Sequence, residues 1–337
     1  METTRIEGAG FEVSRIGLGT WAMGGWMWGG TDEAAAVRTI AEAVERGITL
    51  IDTAPVYGFG RSEEIVGRAL GEGGLRHRVV LATKVALEWR DGAVFRNAGG
   101  GRIAAEVEDS LRRLRTDVID LYQVHWPDAG TPVEETAEAM AALLREGKIR
   151  AVGVSNFSPE QMAAFGAVAP LHTDQPPYNL LERGIEDGVL PYCRREGIAV
   201  LAYGALCRGL LSGRMTGDTV FTGDDLRKLD PKFKEPRYEA YLRAVARLDR
   251  FAQERYGRRV IHLAVRWLLD QPGVSAALWG ARRPDQLDDV GGVLGWRLDA
   301  AALAEIDRIV AEEVRDPVGP QFMAPPERRP GAAGRGA

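Results

Sequence analysis

The sequence is poor in the residues that build metal sites and disulfide scaffolds. It holds two cysteines, Cys193 and Cys207, and four histidines in 337 residues. The cysteines match no metal or redox spacing and read as ordinary thiols of a reducing compartment. No run approaches the roughly 18 apolar residues that a membrane helix needs. The first residues lack a basic start followed by an apolar stretch, so no secretory leader is expected. Positive charge is not in excess either: 43 Lys and Arg against 48 Asp and Glu leave a net charge of −5. A nucleic-acid partner has no electrostatic support. The expectation is a cytoplasmic protein with a small-molecule partner, and neither nucleic acid nor membrane.

What is present is an alternation. Short, nearly all-apolar runs occur at Ile16–Gly19, Leu50–Asp52, Val79–Lys84, Val118–His125, Ala151–Ser155, Leu171–Gln175, Ile198–Tyr203 and Val274–Gly280. Such runs suit strands buried on both faces of a parallel sheet. Helical periodicity lies between them, as in Pro132–Arg145, where Val133, Ala137, Met140, Ala141 and Leu144 form one stripe. Thr131 fits its N-cap, Pro132 its first turn and Gly147 its exit. The same reasoning gives helices near 32–46, 62–70, 103–114, 159–165, 189–196, 260–269 and 284–290. Eight strands, each followed by a helix, predict a (β/α)₈ TIM barrel rather than two domains. Arg5–Ile6 and Phe11–Val13 predict a hairpin that closes the barrel floor, and 238–256 and 300–312 are extra helices. Ala86–Gly101 reads as a Gly-rich loop, and 208–236 as irregular. The barrel is expected to span residues 1–312. The tail, 313–337, is expected to be disordered in part from about Ala324, with 313–323 folding across the pocket mouth.

In such a barrel the chemistry gathers at the C-terminal ends of the strands. Asp52, Tyr57, Lys84 and His125 end or closely follow successive strands. Each alone has an ordinary structural explanation, as a strand-end cap, a packing aromatic, an ion-pair partner or a semi-buried histidine. Together they form a coherent proton-transfer set. A phenol is a poor acid near neutral pH, and a neighbouring ammonium is expected to lower its pKa. Asp52 would hold the lysine, and His125 would orient a carbonyl oxygen.

These residues lie in IDTAPVYGFGRSEEIVGRAL, ATK and IDLYQVHWPD, and KIRAVGVSNFSPEQM, QPPYN, LAYGALCRGLLSG and GARRPDQL follow in order. The whole stretch, about residues 3–312, resembles the aldo-keto reductase superfamily. The resemblance implies a metal-free barrel that reduces aldehydes and ketones with NADPH or NADH. It makes Asp52, Tyr57, Lys84 and His125 a catalytic tetrad with Tyr57 as general acid. It also implies that Ser155, Asn156 and Gln175 bind the nicotinamide carboxamide and that Tyr203 stacks on the ring. Gly19, Thr20, Trp21 and Asp52 belong to the same cofactor cleft. Gly204, Leu206 and Arg208 fall in the loop over the pyrophosphate, with Arg208 as charge partner. Gly280, Arg282, Gln286 and Asp289 fall at the adenosine end, and Arg282 with Arg283 favours NADP over NAD. There are departures: Gly204–Ala205 replaces the usual Ser-Pro, Val290 the usual Asn, and Trp279 a smaller residue.

Trp21, Trp26, Trp28, Trp89 and Trp126 cluster in loops after the strands, with Phe95 nearby, and are expected to wall a substrate pocket. A bulky carbonyl or a stacked sugar would suit it. Two other readings share the sequence: an NADP(H)-binding sensor or regulatory subunit, and a sugar or alcohol dehydrogenase working oxidatively. A metal-dependent lyase or hydrolase would need converging ligands, which the spacing of His77, His172 and His262 does not offer.

Overall fold

The computed structural model describes residues 1–327. β1 (Thr3–Ile6) and β2 (Phe11–Ser14) form the expected antiparallel hairpin. Its Ile6 and Val13 plug the barrel floor, packing on Leu50, Val80, Leu121 and Leu201. The barrel strands follow as β3 (Ile16–Gly19), β4 (Leu50–Asp52) and β5 (Val80–Val85). A hairpin of β6 (Leu87–Arg90) and β7 (Ala93–Arg96) stands on the rim. Then come β8 (Ile119–Val124), β9 (Ile149–Val154), β10 (Thr173–Asp174), β11 (Ala199–Ala202) and β12 (Val274–Gly280). The eight parallel strands close in the order β3-β4-β5-β8-β9-β10-β11-β12. The helices are α1 (Glu33–Glu45), α2 (Arg61–Glu72), α3 (Gly100–Leu114), α4 (Val133–Arg145), α5 (Pro159–Gly166), α6 (Val189–Glu196), α7 (Arg237–Tyr256), α8 (Val260–Asp270) and α9 (Ala300–Glu313). No helix of the described residues is long and apolar enough to cross a membrane.

Four expectations need correction. The Gly-rich loop after the third barrel strand is the β6–β7 hairpin: Asp91 and Gly92, both at positive φ, make a two-residue turn that lets the flanking segments pair. The helix expected at 284–290 is two 3₁₀ turns, Pro284–Leu287 and Val290–Val293. Pro132 is itself the N-cap of α4, because the Thr131 hydroxyl donates to Asp128 Oδ2 (2.8 Å). The sixth barrel strand shrinks to Thr173–Asp174.

Beyond α9 the chain packs on the barrel. Phe322–Pro326 lie over the mouth, a few residues further along the tail than expected. Arg96 ties them down through Nε to the Pro325 carbonyl (2.9 Å), its backbone amide to the Pro326 carbonyl (3.1 Å) and an ion pair with Glu327. The disorder expected from Ala324 therefore does not hold over 324–327, and its remainder lies outside the described residues.

Side-chain alternation positions the chemistry. Leu50, Val80, Ala82 and Leu121 fill the barrel interior, and the next inward positions on the same strands are Asp52, Lys84 and Gln123. Asp174 points the other way. It is fully buried and pairs across to Val154 and Val200, and among the described residues its carboxyl has no well-formed hydrogen bond, only a weak opposing influence from the Gln175 amide. Burial pushes its carboxyl well above the ordinary 3.8. A raised acid pKa gives stability that is present at low pH and lost as pH rises from the unfolded value toward the folded one. Asp174→Asn is therefore expected to stabilise the protein at pH 7, with the gain shrinking toward pH 4. Urea unfolding at the two pH values checks this, and an equal or absent gain at both refutes it.

Candidate active site

Lys84 lies at the centre of the site, fully buried. Its Nζ donates to Asp52 Oδ1 (2.6 Å) and to the Thr53 carbonyl (3.0 Å), and lies 3.3 Å from the Tyr57 hydroxyl. Strand pairing sets this arrangement: Asp52 is opposite Ala82 on β5, and Lys84 is opposite Gln123 on β8. His125 follows β8, its amide bonded to the Val85 carbonyl (2.9 Å). Its ring meets Tyr57 edge-on at 5.6 Å, and Trp21 stacks on Tyr57 at 5.8 Å. Tyr57 comes from the loop after β4. That loop touches the loop after β3 backbone to backbone, where a Cβ on Gly58 would lie 2.2 Å from the Gly24 carbonyl oxygen. Gly58 also has φ +67°.

The electrostatics differ from expectation in one respect. Lys84 does not bring the Tyr57 phenol below its ordinary range. Burial, and then the charge of Asp52, hold the phenol well above it. Burial also lowers Lys84, against the opposing charges of Asp52 and Glu63. His125 is held well below its usual value by burial and by Lys84, so it is a neutral imidazole at pH 7. The site is a protonated phenol, an ammonium and a neutral imidazole around one point.

Two cavities meet there. One, of about 240 Å³, runs from Tyr57 past Gly19, Thr20, Gly204, Leu206 and Gly280 to Arg282 and Gln286. The other, of about 270 Å³, lies on the His125 side, walled by Trp26, Val56, Leu87, Val94, Trp126 and Phe322. Trp21, Tyr57, Gln175, Tyr203 and Met323 line both. Gly19 and Gly280 pair across β3 and β12, and a Cβ on Gly280 would meet nothing within 4 Å. The floor of the first cavity is thus left free for a flat ligand. Arg208, Arg227 and Arg282 stand along it. Arg208 and Arg227 are paired with acids, whereas Arg282 is held by the Trp28 and Gly30 carbonyls and keeps its charge for an anionic ligand. The residues fit a dinucleotide.

The sequence profile described as "Aldo/keto reductase family" matches residues 15–311. The chain belongs to this family. It is 60% identical to "Aldo-keto reductase YhdN" of Bacillus subtilis (strain 168) over 97% of this chain and 99% of that one. It is 38% identical to "NADH-specific methylglyoxal reductase" of Escherichia coli (strain K12), covering 86% and 92%. Among solved structures it is similar to the glycerol dehydrogenase AKR11B4 from Gluconobacter oxydans, with TM-score 0.87 and 54% identity over 96% of this chain and 99% of that one. It is an enzyme, a nicotinamide-dependent aldo-keto reductase.

Within this aldo-keto reductase, Ser155, Asn156, Gln175 and Tyr203 come together at the seam. The Ser155 hydroxyl donates to the Gln175 carbonyl (2.6 Å). Asn156 Nδ2 donates to the His125 carbonyl and to Ser155 Oγ (both 3.0 Å), and Asn156 Oδ1 accepts from the Tyr203 hydroxyl (3.0 Å). Other expected residues fall elsewhere. Trp28 lines the first cavity, not the substrate pocket, because Arg282 holds its carbonyl (2.8 Å). Trp89 packs on Phe59 at 5.6 Å and lines neither cavity, since it projects from β6. Asp289 does not face the first cavity: Arg259 (2.9 Å), His262 (3.1 Å) and Arg214 (3.3 Å) hold it. Arg208 lines that cavity, but its charge is committed to Glu182 and to Asp230 (2.6 Å), which leaves it poorly placed as a pyrophosphate partner. Gln286 turns its Oε1 to the amides of Arg282 (2.8 Å) and Arg283 (3.1 Å) and shapes the turn there.

Sequence reasoning missed Gln123, Arg227 and the apolar side chains of Ala324–Pro326. Gln123 had a signal: it is a polar residue inside the apolar strand Ile119–Val124, two positions before His125, on the inward face. Arg227, which lines the first cavity and stacks over Trp28 at 5.4 Å, had none.

Proposed function

We propose that the enzyme reduces aldehydes and ketones to alcohols with NADPH, with Tyr57 as the proton donor. The observation that carries this reading is the position of the Tyr57 hydroxyl. It lies at the junction of the cavity that runs to Arg282 and an apolar pocket, hydrogen-bonded to Lys84. A bound reduced nicotinamide supplies the hydride. Tyr57 and the neutral His125 converge on the carbonyl oxygen. As negative charge develops there, the Tyr57 proton moves to it, and the Lys84 ammonium steadies the phenolate left behind. The raised phenol pKa is no obstacle, because an alkoxide is far more basic than a phenolate. Asp52 keeps Lys84 charged and in place.

Arg282 at the far end of the first cavity, with exposed Arg283 beside it, supports NADPH over NADH. Apart from His125 and the Ser155–Asn156–Gln175 group, the second cavity offers mainly aromatic and aliphatic side chains. This favours carbonyls bearing apolar or aromatic groups over polyols such as glycerol. Steady-state assays with NADPH and NADH over methylglyoxal, aliphatic aldehydes and benzaldehyde, alongside glycerol oxidation with NADP⁺, test it. The expected outcome is turnover of apolar aldehydes at a higher kcat/KM with NADPH than with NADH, and far above glycerol oxidation. Cofactor binding with no carbonyl turned over would favour an NADP(H)-binding sensor instead.

A further inference from the structure

Gln123 lies wholly inside the barrel, and the catalytic scheme above does not use it. Its partner on β9 is Gly153, where a Cβ would lie 2.2 Å from Thr173 Oγ1 and 2.9 Å from Gln123 Cγ, so these two side chains together occupy the space a larger residue would take. Its amide Nε2 donates to Asp52 Oδ2 (3.2 Å). Gln175 Nε2 donates to the same oxygen (2.8 Å) and lies 3.3 Å from Gln123 Oε1. A carboxylate oxygen only accepts, so both glutamines must turn their nitrogens toward Asp52. Gln123 Oε1 then takes the second N–H of Gln175. Both hydrogens of the Gln175 amide are thereby used within the protein. Gln175 Oε1 accepts no hydrogen bond from the described residues, although Gln175 lines both cavities.

We propose that Gln123 is a positioning residue that locks Gln175 as a pure hydrogen-bond acceptor, so that the site reads the NH₂ of the nicotinamide carboxamide rather than its oxygen. The neighbouring Asn156 agrees in polarity. Its nitrogen is spent on His125 and Ser155, while among the described residues Oδ1 accepts only from Tyr203 and keeps a lone pair. The Asp52 that steadies Lys84 through Oδ1 thus also sets, through Oδ2 and the two glutamines, the polarity of cofactor recognition. The inference rests on the nicotinamide reading of the first cavity.

The test compares reduced NADP with its 3-acetylpyridine analogue, in which a methyl ketone replaces the carboxamide and no NH₂ remains. Binding is read by quenching of tryptophan fluorescence, without turnover. The wild type is expected to bind the natural cofactor about 3- to 10-fold more tightly than the analogue. Gln123→Met keeps side-chain length and removes both polar atoms. It is expected to reduce that preference at least by about half, mainly by weakening the natural cofactor. Gln175→Met is expected to reduce it at least as far, and the double variant no further, because Gln123 acts through Gln175. A residue that only packs would shift both affinities together. An unchanged preference in a folded Gln123→Met protein, or additive losses in the double variant, overturns the role of Gln123. If Gln123→Met does not fold, equal wild-type affinity for the two cofactors, or a preference that survives in Gln175→Met, overturns it. Failure of the wild type to bind either NADPH or NADH would instead overturn the nicotinamide reading itself.

Discussion

Tyr57→Phe is expected to lower carbonyl reduction roughly 100- to 10,000-fold, the usual worth of a positioned general acid, while leaving cofactor affinity nearly unchanged. The substitution removes one oxygen and its proton. The ring stays stacked on Trp21 and edge-on to His125, contacts that need no hydroxyl. Lys84 loses one partner at 3.3 Å but keeps Asp52 and the Thr53 carbonyl. The defect should therefore fall on kcat, with the fluorescence titration and the unfolding midpoint close to wild type. His125 cannot substitute as an acid, because burial and the Lys84 charge hold it neutral. Wild-type kcat in the phenylalanine variant would exclude Tyr57 as the proton donor.

Lys84→Met is expected to cost both turnover and stability, the latter by about 3–5 kcal/mol. Lys84 and Asp52 are sealed from water, at 0% and 4% side-chain exposure. The pair need not be strongly stabilising against an apolar alternative. Removing one partner, however, leaves a buried carboxylate with only the two glutamine amides to compensate it. Adding Asp52→Asn to Lys84→Met removes the orphaned charge. The double variant should regain much of the lost stability and none of the activity. Denaturant unfolding beside single-turnover assays separates the two effects. A Lys84→Met protein as stable as the wild type would mean that water reaches the pair.

The barrel was legible because each strand is a short apolar run ended by a polar or glycine residue, and because parallel strands need both faces buried. The tetrad was legible for the same reason: Asp52 and Lys84 end runs in which a charge has no reason to appear unless it is paired or used. Gln123 carried the same kind of signal, and the alternation that places Leu121 inward places it inward too. The hairpin at 87–96 was harder to read, because its turn, Asp91–Gly92, sits among other loop-like residues and its pairing shows only when the flanking segments are seen together.

The sequence by itself determined which strand carries each reactive group, because strand order and a period of two follow from local patterning. Only the tertiary structure decided what those groups experience. The Tyr57 phenol is pushed up rather than down because how deeply it is buried depends on loops brought together from residues 21–28, 53–60 and 322–326. The charge of Arg208 is spent on Glu182 and Asp230, Trp28 serves the first cavity and Trp89 neither, and Arg96 fastens the tail across the mouth. Each of these outcomes depends on contacts between residues far apart in the chain, and local periodicity carries no record of them.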